Sequence, residues 1–186
     1  LPAEHIPPAD CVVNPNAFSD SDGKCLAGVG VAFYLMLGLR AELRTRGWFK
    51  QINEPNLADC LDLVALGTVA DLVPLDDNNR ILVQEGIRRI RRGACAPAIS
   101  HLADLANRQL ATLTSQDIGF SIAPRINAAG RLDDMRYGVM ALIETDATKA
   151  AQLAQELHQI NSYRRELQGE MGEQADEMLN KLDPTE

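Results

Sequence analysis

Residues 57–75, LADCLDLVALGTVADLVPL, decide how the rest of the chain is read. Leu57, Leu61, Val64, Ala65 and Thr68 recur at three- and four-residue steps, the spacing of one buried helix face, and Pro74 stops the pattern. Asp71 is therefore expected near a helix C-terminus, facing the negative end of the helix dipole. Leu66, Val69, Leu72 and Val73 around it are expected to strip water from the carboxylate, so an unpaired charge there would be costly. A metal ion, an arginine or a hydrogen bond from Thr68 one turn back could each compensate it. A plain structural aspartate, satisfied by some neighbour, is the other reading.

Helices are expected on both sides of this stretch. Leu26 to Arg46 is apolar on most sides at first and amphipathic later, and Gly28 and Gly30 near its start would let a neighbouring strand or a phosphate approach. Asp77, Asn78 and Asn79 offer N-caps for a helix from about Arg80 to Arg92, with Ile81, Leu82, Gly86, Ile87 and Ile90 inward. Arg88, Arg89, Arg91 and Arg92 then point outward, as a solvated face or a DNA contact. Pro97 to Arg108 reads as a short helix, and Cys11 to Asn14 as the one clear strand, buried.

Thr114 or Ser115 can cap a turn containing Asp117, and Pro124 interrupts the pattern before Arg125-Ile126-Asn127-Ala128-Ala129-Gly130-Arg131. Two arginines among small residues leave their forks accessible to phosphate oxygens, whereas Asp133 and Asp134 are competing partners. From Ala147 onward the sequence is continuously helical in character. Leu153, Leu157, Ile160, Leu167, Met171, Met178 and Leu182 fall near a seven-residue repeat. Such a run bridges two domains or pairs with a second copy of itself.

With 186 residues the chain can bury a sizeable core, and 46% hydrophobic but only 4% aromatic content favours a helical class. A net charge of −8 argues against a diffuse, histone-like grip on nucleic acid but leaves room for a local basic groove. Cys11, Cys25, Cys60 and Cys95 are scattered away from His5, His101 and His158, which argues against zinc and for buried, reduced thiols in a cytoplasmic protein. No run reaches membrane-spanning length. The Pro-rich start at Leu1, without an initiator methionine, suggests a piece of a longer chain.

Taken together, Leu1-Pro2-Ala3-Glu4, Val13-Asn14-Pro15, residues 26–33, Gly67 to Leu75, Asn79-Arg80, Pro124 to Leu132 and Asn161 to Arg165 resemble the RecJ-type single-stranded-DNA exonucleases of the DHH phosphoesterase superfamily. The likeness runs nearly the whole length. It implies an α/β family fold represented here by a predominantly α-helical fragment: residues 1–146 as the C-terminal portion of the DHH domain and 147–186 as a connector helix to a missing second (DHHA1) domain. It also implies a 5′-to-3′ exonuclease of DNA repair and recombination, working with two divalent ions, Mn²⁺ or Mg²⁺. On that template Asp71 is a metal-ligating catalytic acid, and Arg125, Asn127 and Arg131 contact phosphate.

The family's Asp-His-His triplet would stand immediately before Leu1-Pro2, and His5 does not replace it. One carboxylate cannot hold two ions. The fragment alone is therefore expected to bind no metal and to be inactive, with self-association through residues 147–186 as a further expectation. The competing functions are a small-substrate DHH phosphodiesterase or pyrophosphatase, and a non-catalytic helical interaction module.

Overall fold

Eight α-helices carry nearly all the regular structure among the described residues: α1 (Gly28–Thr45), α2 (Leu61–Ala70), α3 (Asp77–Arg91), α4 (Pro97–Leu105), α5 (Ser115–Asp117), α6 (Ala123–Leu132), α7 (Arg136–Ile143) and α8 (Ala147–Asn180). The computed structural model describes residues 8–17, 23–132 and 134–180, without the side chains of 131–132 and 177–180. They fall into two compact units, one over Leu1–Cys95 with Leu110–Gly119, the other over Ala96–Gln109 with Phe120–Glu186.

In the first unit α2 packs against α1 and α3. Phe33, Leu57, Val64 and Leu82 are buried together, with Leu26, Val29, Leu37 and Leu61 against them. Each such side chain contributes about 1.5–3 kcal/mol when fully buried. The α2–α3 connection is tied by Asn79, which is fully buried and donates from Nδ2 to the carbonyls of Cys25 and Pro74, each at 2.8 Å. Asp76 rather than the later residues caps α3, its Oδ1 accepting from the Asn79 amide at 2.8 Å. Gly93, at φ +74°, ends the helix as the sequence-adjacent turn requires: its amide and that of Ala94 donate to the carbonyls of Ile90 and Arg89.

The end of α2 is less comfortable. Asp71 is its C-cap, and the next residue, Leu72, adopts φ +54° with its side chain 84% exposed. That left-handed position favours glycine and costs a branched-chain residue about 1–2 kcal/mol. Leu72→Gly is expected to stabilise the protein by about 0.5–1 kcal/mol, the relief being partly offset by the freer unfolded chain. A lowered midpoint of urea unfolding would show that Leu72 contributes more than its exposure implies.

In the second unit Ala150, Ala154 and Leu157 of α8 are fully buried, as are Ala98, Ile99, Leu102 and Ala103 of α4 and Ala128 and Ala129 of α6. Helices α4, α6 and α7 all pack on α8, and these small residues let the backbones come close. Residues 168–176 of α8 are exposed, Met171 at 68%, so the apolar stripe is not sustained along the helix. Met178 and Leu182 lie outside the described side chains.

Several expectations need correcting. Cys11 to Asn14 is not a strand: there is no strand among the described residues to pair with it, and Val12 and Val13 are 42% and 53% exposed. A Cβ on Gly28 would meet open space, and one on Gly30 would meet the Leu26 side chain at 3.1 Å, so the neighbour that approaches α1 at Gly30 is that side chain and not a strand. Ile81, expected inside, is 61% exposed, while Val83 is buried, which rotates the inner face of α3. Pro124 interrupts the α pattern without ending the helical run: the turn before it, Ile118–Ile122, is widened to π geometry, and α6 continues directly from it. The cysteines are not buried. Cys11 is exposed and the other three half-buried, none in a disulfide.

Candidate functional site

The unit of α1–α3 holds Asp71. The reading of a dehydrated acid is wrong in its premise: Asp71 is exposed, because the chain turns away at Leu72 and the apolar neighbours do not close over the carboxylate. Its amide donates to the Gly67 carbonyl at 3.0 Å, and no described residue pairs with its side chain. Thr68 does not supply the proposed hydrogen bond. Its hydroxyl is buried one turn back without a partner among the described residues. The buried acid of α2 is instead Asp62, 2% exposed, on a flank of the helix that the three- and four-residue stripe did not include.

The unit of α4 and α6–α8 holds Arg125 and Asn127. Arg125 is half-buried, and its Nε donates to Nδ1 of His158 at 3.1 Å while Nη1 donates to the Ser121 carbonyl. Arg108 approaches the same serine, Nε to Oγ at 3.4 Å. No acid among the described residues pairs with Arg125; Asp134, the competitor suggested by spacing, is engaged by Arg136. Burial, and secondarily the Arg165 charge, lower the pKa of Arg125 below its ordinary value. Burial first and the Arg125 guanidinium second do the same to His158. Arg125 and Arg165 are thus cations close enough to feel one another, and guanidinium forks of this kind match phosphate oxygens. Asn127 is exposed on α6. The side chain of Arg131, and Asp133 altogether, lie outside the described residues.

His158, Arg165 and Arg108 were not legible as companions of Arg125. The only available signal was the seven-residue step from His158 to Arg165 on α8, two helical turns that bring both to one face. The Arg125–His158 bond requires a neutral imidazole with Nδ1 as acceptor, so protonating His158 both breaks the bond and sets two cations together. Because the folded-state pKa lies below the ordinary 6.5, the unfolded chain takes up the proton first as pH falls. Stability should therefore drop from above pH 6.5 downward. Melting curves between pH 7.5 and 5 should show a smaller drop for His158→Gln than for the unchanged chain; identical slopes would remove His158 from the account.

Among the described residues no three His, Cys, Asp or Glu side chains converge into a metal-binding group, and no helix is long and apolar enough to cross a membrane. What the described residues of the two units define is a mostly helical segment with an unpaired surface carboxylate at a helix end in one and an arginine–histidine cluster in the other.

No protein-family profile matches the chain. It is 52% identical, over an alignment of 187 positions that covers 98% of its length, to the single-stranded-DNA-specific exonuclease RecJ of Dickeya dadantii, of which it covers 32%. It also superposes on RecJ of Thermus thermophilus in complex with Mn²⁺ with a TM-score of 0.80, at 34% identity, covering 99% of this chain and 26% of that one. The Mg²⁺ complex from the same organism gives 0.73 over 91% of this chain and 25% of that one. The chain is thus a homologue of one segment of the RecJ-type exonucleases, spanning between 22% and 32% of the length of the curated relatives it matches.

Proposed function

We propose that this chain is the part of a divalent-metal-dependent, 5′-to-3′ single-stranded-DNA exonuclease that supplies one metal-ligating acid, Asp71, and a phosphate-contacting cluster around Arg125, in an enzyme of DNA repair and recombination. Homology along 98% of the chain carries the reading. The geometry supports it, since Asp71 presents a solvent-open, unpaired carboxylate, the hard oxygen donor that Mn²⁺ and Mg²⁺ take. Bound divalent ions would activate water and stabilise the oxygens of a phosphodiester displacement. In this chain Asp71 holds negative charge at the end of α2, and Arg125, fixed by Ser121 and His158, orients a phosphate. Asn127 and Arg131, on the same helix, are read as adding polar contacts along the strand.

The DHH-domain origin of residues 1–146, and the part of α8 as a connector to a second domain, belong to the same reading. Further ligands must come from elsewhere in the full-length protein. In isolation the 186-residue polypeptide is read as inactive and metal-free, because one carboxylate does not hold two ions. The test is a Mn²⁺-supplemented assay on 5′-phosphorylated single-stranded DNA. Nucleotide release by the full-length protein and none by the isolated chain is the expected result. Turnover by the isolated chain, or a full-length protein that cleaves dinucleotides but not long strands, would overturn it.

A further inference from the structure

The arginines of α3 do something that a merely solvated face does not. Arg80, Gln84, Arg88 and Arg91 follow one another at steps of four, four and three residues, so they share one face over about 16 Å of helix. Across from them lie Thr114 and Ser115, and together they line a groove of about 400 Å³ floored by Val83 and Ile87. None of its lining residues is acidic.

The two outer arginines are held, not loose. Arg80 Nε donates to the Leu75 carbonyl and Arg91 Nε to the Leu113 carbonyl, each at 2.8 Å. Each bond commits the inner nitrogen to backbone and leaves both terminal Nη groups without a described partner. A guanidinium fixed in this way loses less freedom when an anion arrives. Of the acids on the same elements, Glu85 pairs with Arg88, the Asp117 carboxylate accepts from the Thr114 amide and hydroxyl, and Asp77, at the N-terminal end of α3, does not line the groove. The Ser115 hydroxyl, with no described partner, adds a neutral donor to the far wall.

We infer that the groove between α3 and the Thr114–Ser115 turn, with Arg80 and Arg91 clamped at its two ends, is a binding track for the sugar–phosphate backbone of a single-stranded nucleic acid. An extended polyanion fits better than a single small anion, because the fixed forks stand at the ends of a long face and not around one point. The groove's lining residues all belong to the unit that does not contain Arg125, and none of them is shared with the cluster described above. Its value to a nuclease rests on the proposed function, but the binding does not.

The experiment is fluorescence anisotropy of a labelled oligothymidylate with the 186-residue chain in EDTA, titrated across salt concentration. Because no metal or hydrolysis is involved, a failed nuclease assay leaves this result standing, and a failure here leaves the nuclease reading untouched. Arg80→Gln with Arg91→Gln should weaken binding on the order of tenfold at low salt and reduce the log–log salt slope by about 1.4, two phosphate contacts on a single strand. Arg80→Lys with Arg91→Lys keeps the charges but not the clamps, and should retain the slope while losing part of the affinity. A Lys50→Gln, Arg92→Gln pair, both exposed and outside the groove, should bind as the unchanged chain does. An unchanged slope in the glutamine variant whose melting curve is intact would overturn the inference. So would an Asp/Glu-rich peptide whose binding depends on Arg80 and Arg91 while oligothymidylate binding does not, which would assign the groove to a protein partner.

Discussion

Asp71→Asn in the full-length protein is expected to abolish nearly all exonuclease turnover while leaving the fold intact. The substitution keeps the volume and one oxygen but removes the charge. If the carboxylate is a metal ligand, the loss falls on charge stabilisation in the displacement, several kcal/mol, or about a thousandfold in rate. Stability should hardly move, because Asp71 is exposed and makes no described side-chain contact, and surface changes of this kind stay within about 0.5 kcal/mol. The two readouts separate the roles. A full-length Asp71→Asn protein with unchanged melting temperature, weakened Mn²⁺ binding by calorimetry and lost nucleotide release is the expected pattern. Retained turnover, or activity lost only through unfolding, would leave the metal-ligand role without support.

How much of this could be read beforehand depends on which interactions are local. Helices α1–α4 and α8 followed from spacing, whereas α6 and α7 did not, and the Thr114–Asp117 capping box is visible as residues three apart whose amide and side-chain bonds the structure contains. The likeness to RecJ-type exonucleases was legible for the same reason, since GTVAD and RINAAGR are contiguous. Environment was not. Asp71 sits among apolar letters, yet one left-handed residue, Leu72, keeps it in water, and no periodicity predicts a positive φ at leucine. Arg125 and His158 are 33 positions apart, and only tertiary packing brings the guanidinium to the ring. Likewise the arginines of α3 read as a solvated face because the wall opposite them, Thr114 and Ser115, enters from another part of the chain. The expected strand failed for a related reason: β-branched letters do not make a strand when the described residues offer no neighbour to share its hydrogen bonds.

Gly86→Ala tests whether the platform carrying Asp71 depends on one close approach between helices. Gly86 is buried in α3 where it meets α2, and a Cβ there would fall onto the Leu61 carbonyl oxygen and the Ala65 Cβ, with the Leu61 carbonyl carbon at 3.0 Å. The obstruction is backbone, so no rotamer change relieves it. Alanine gains about 1 kcal/mol of helix propensity over glycine, but overpacking of this kind costs about 3 kcal/mol or more when helices themselves must move. The net expectation is a loss of at least about 2 kcal/mol, roughly 4–8 °C in melting temperature for a chain of this size. Gly169→Ala, on the exposed face of α8 with nothing within 4 Å, is the contrast: the same chemical change should there stabilise slightly. Because α2 ends at Asp71, any shift that accommodates the new methyl also displaces the carboxylate, so the surviving folded fraction of the full-length Gly86→Ala protein should turn over more slowly than its stability alone explains. Equal melting temperatures for the Gly86→Ala and unchanged chains would mean that the α2–α3 contact is looser than its geometry, and would remove the argument that packing sets the position of Asp71.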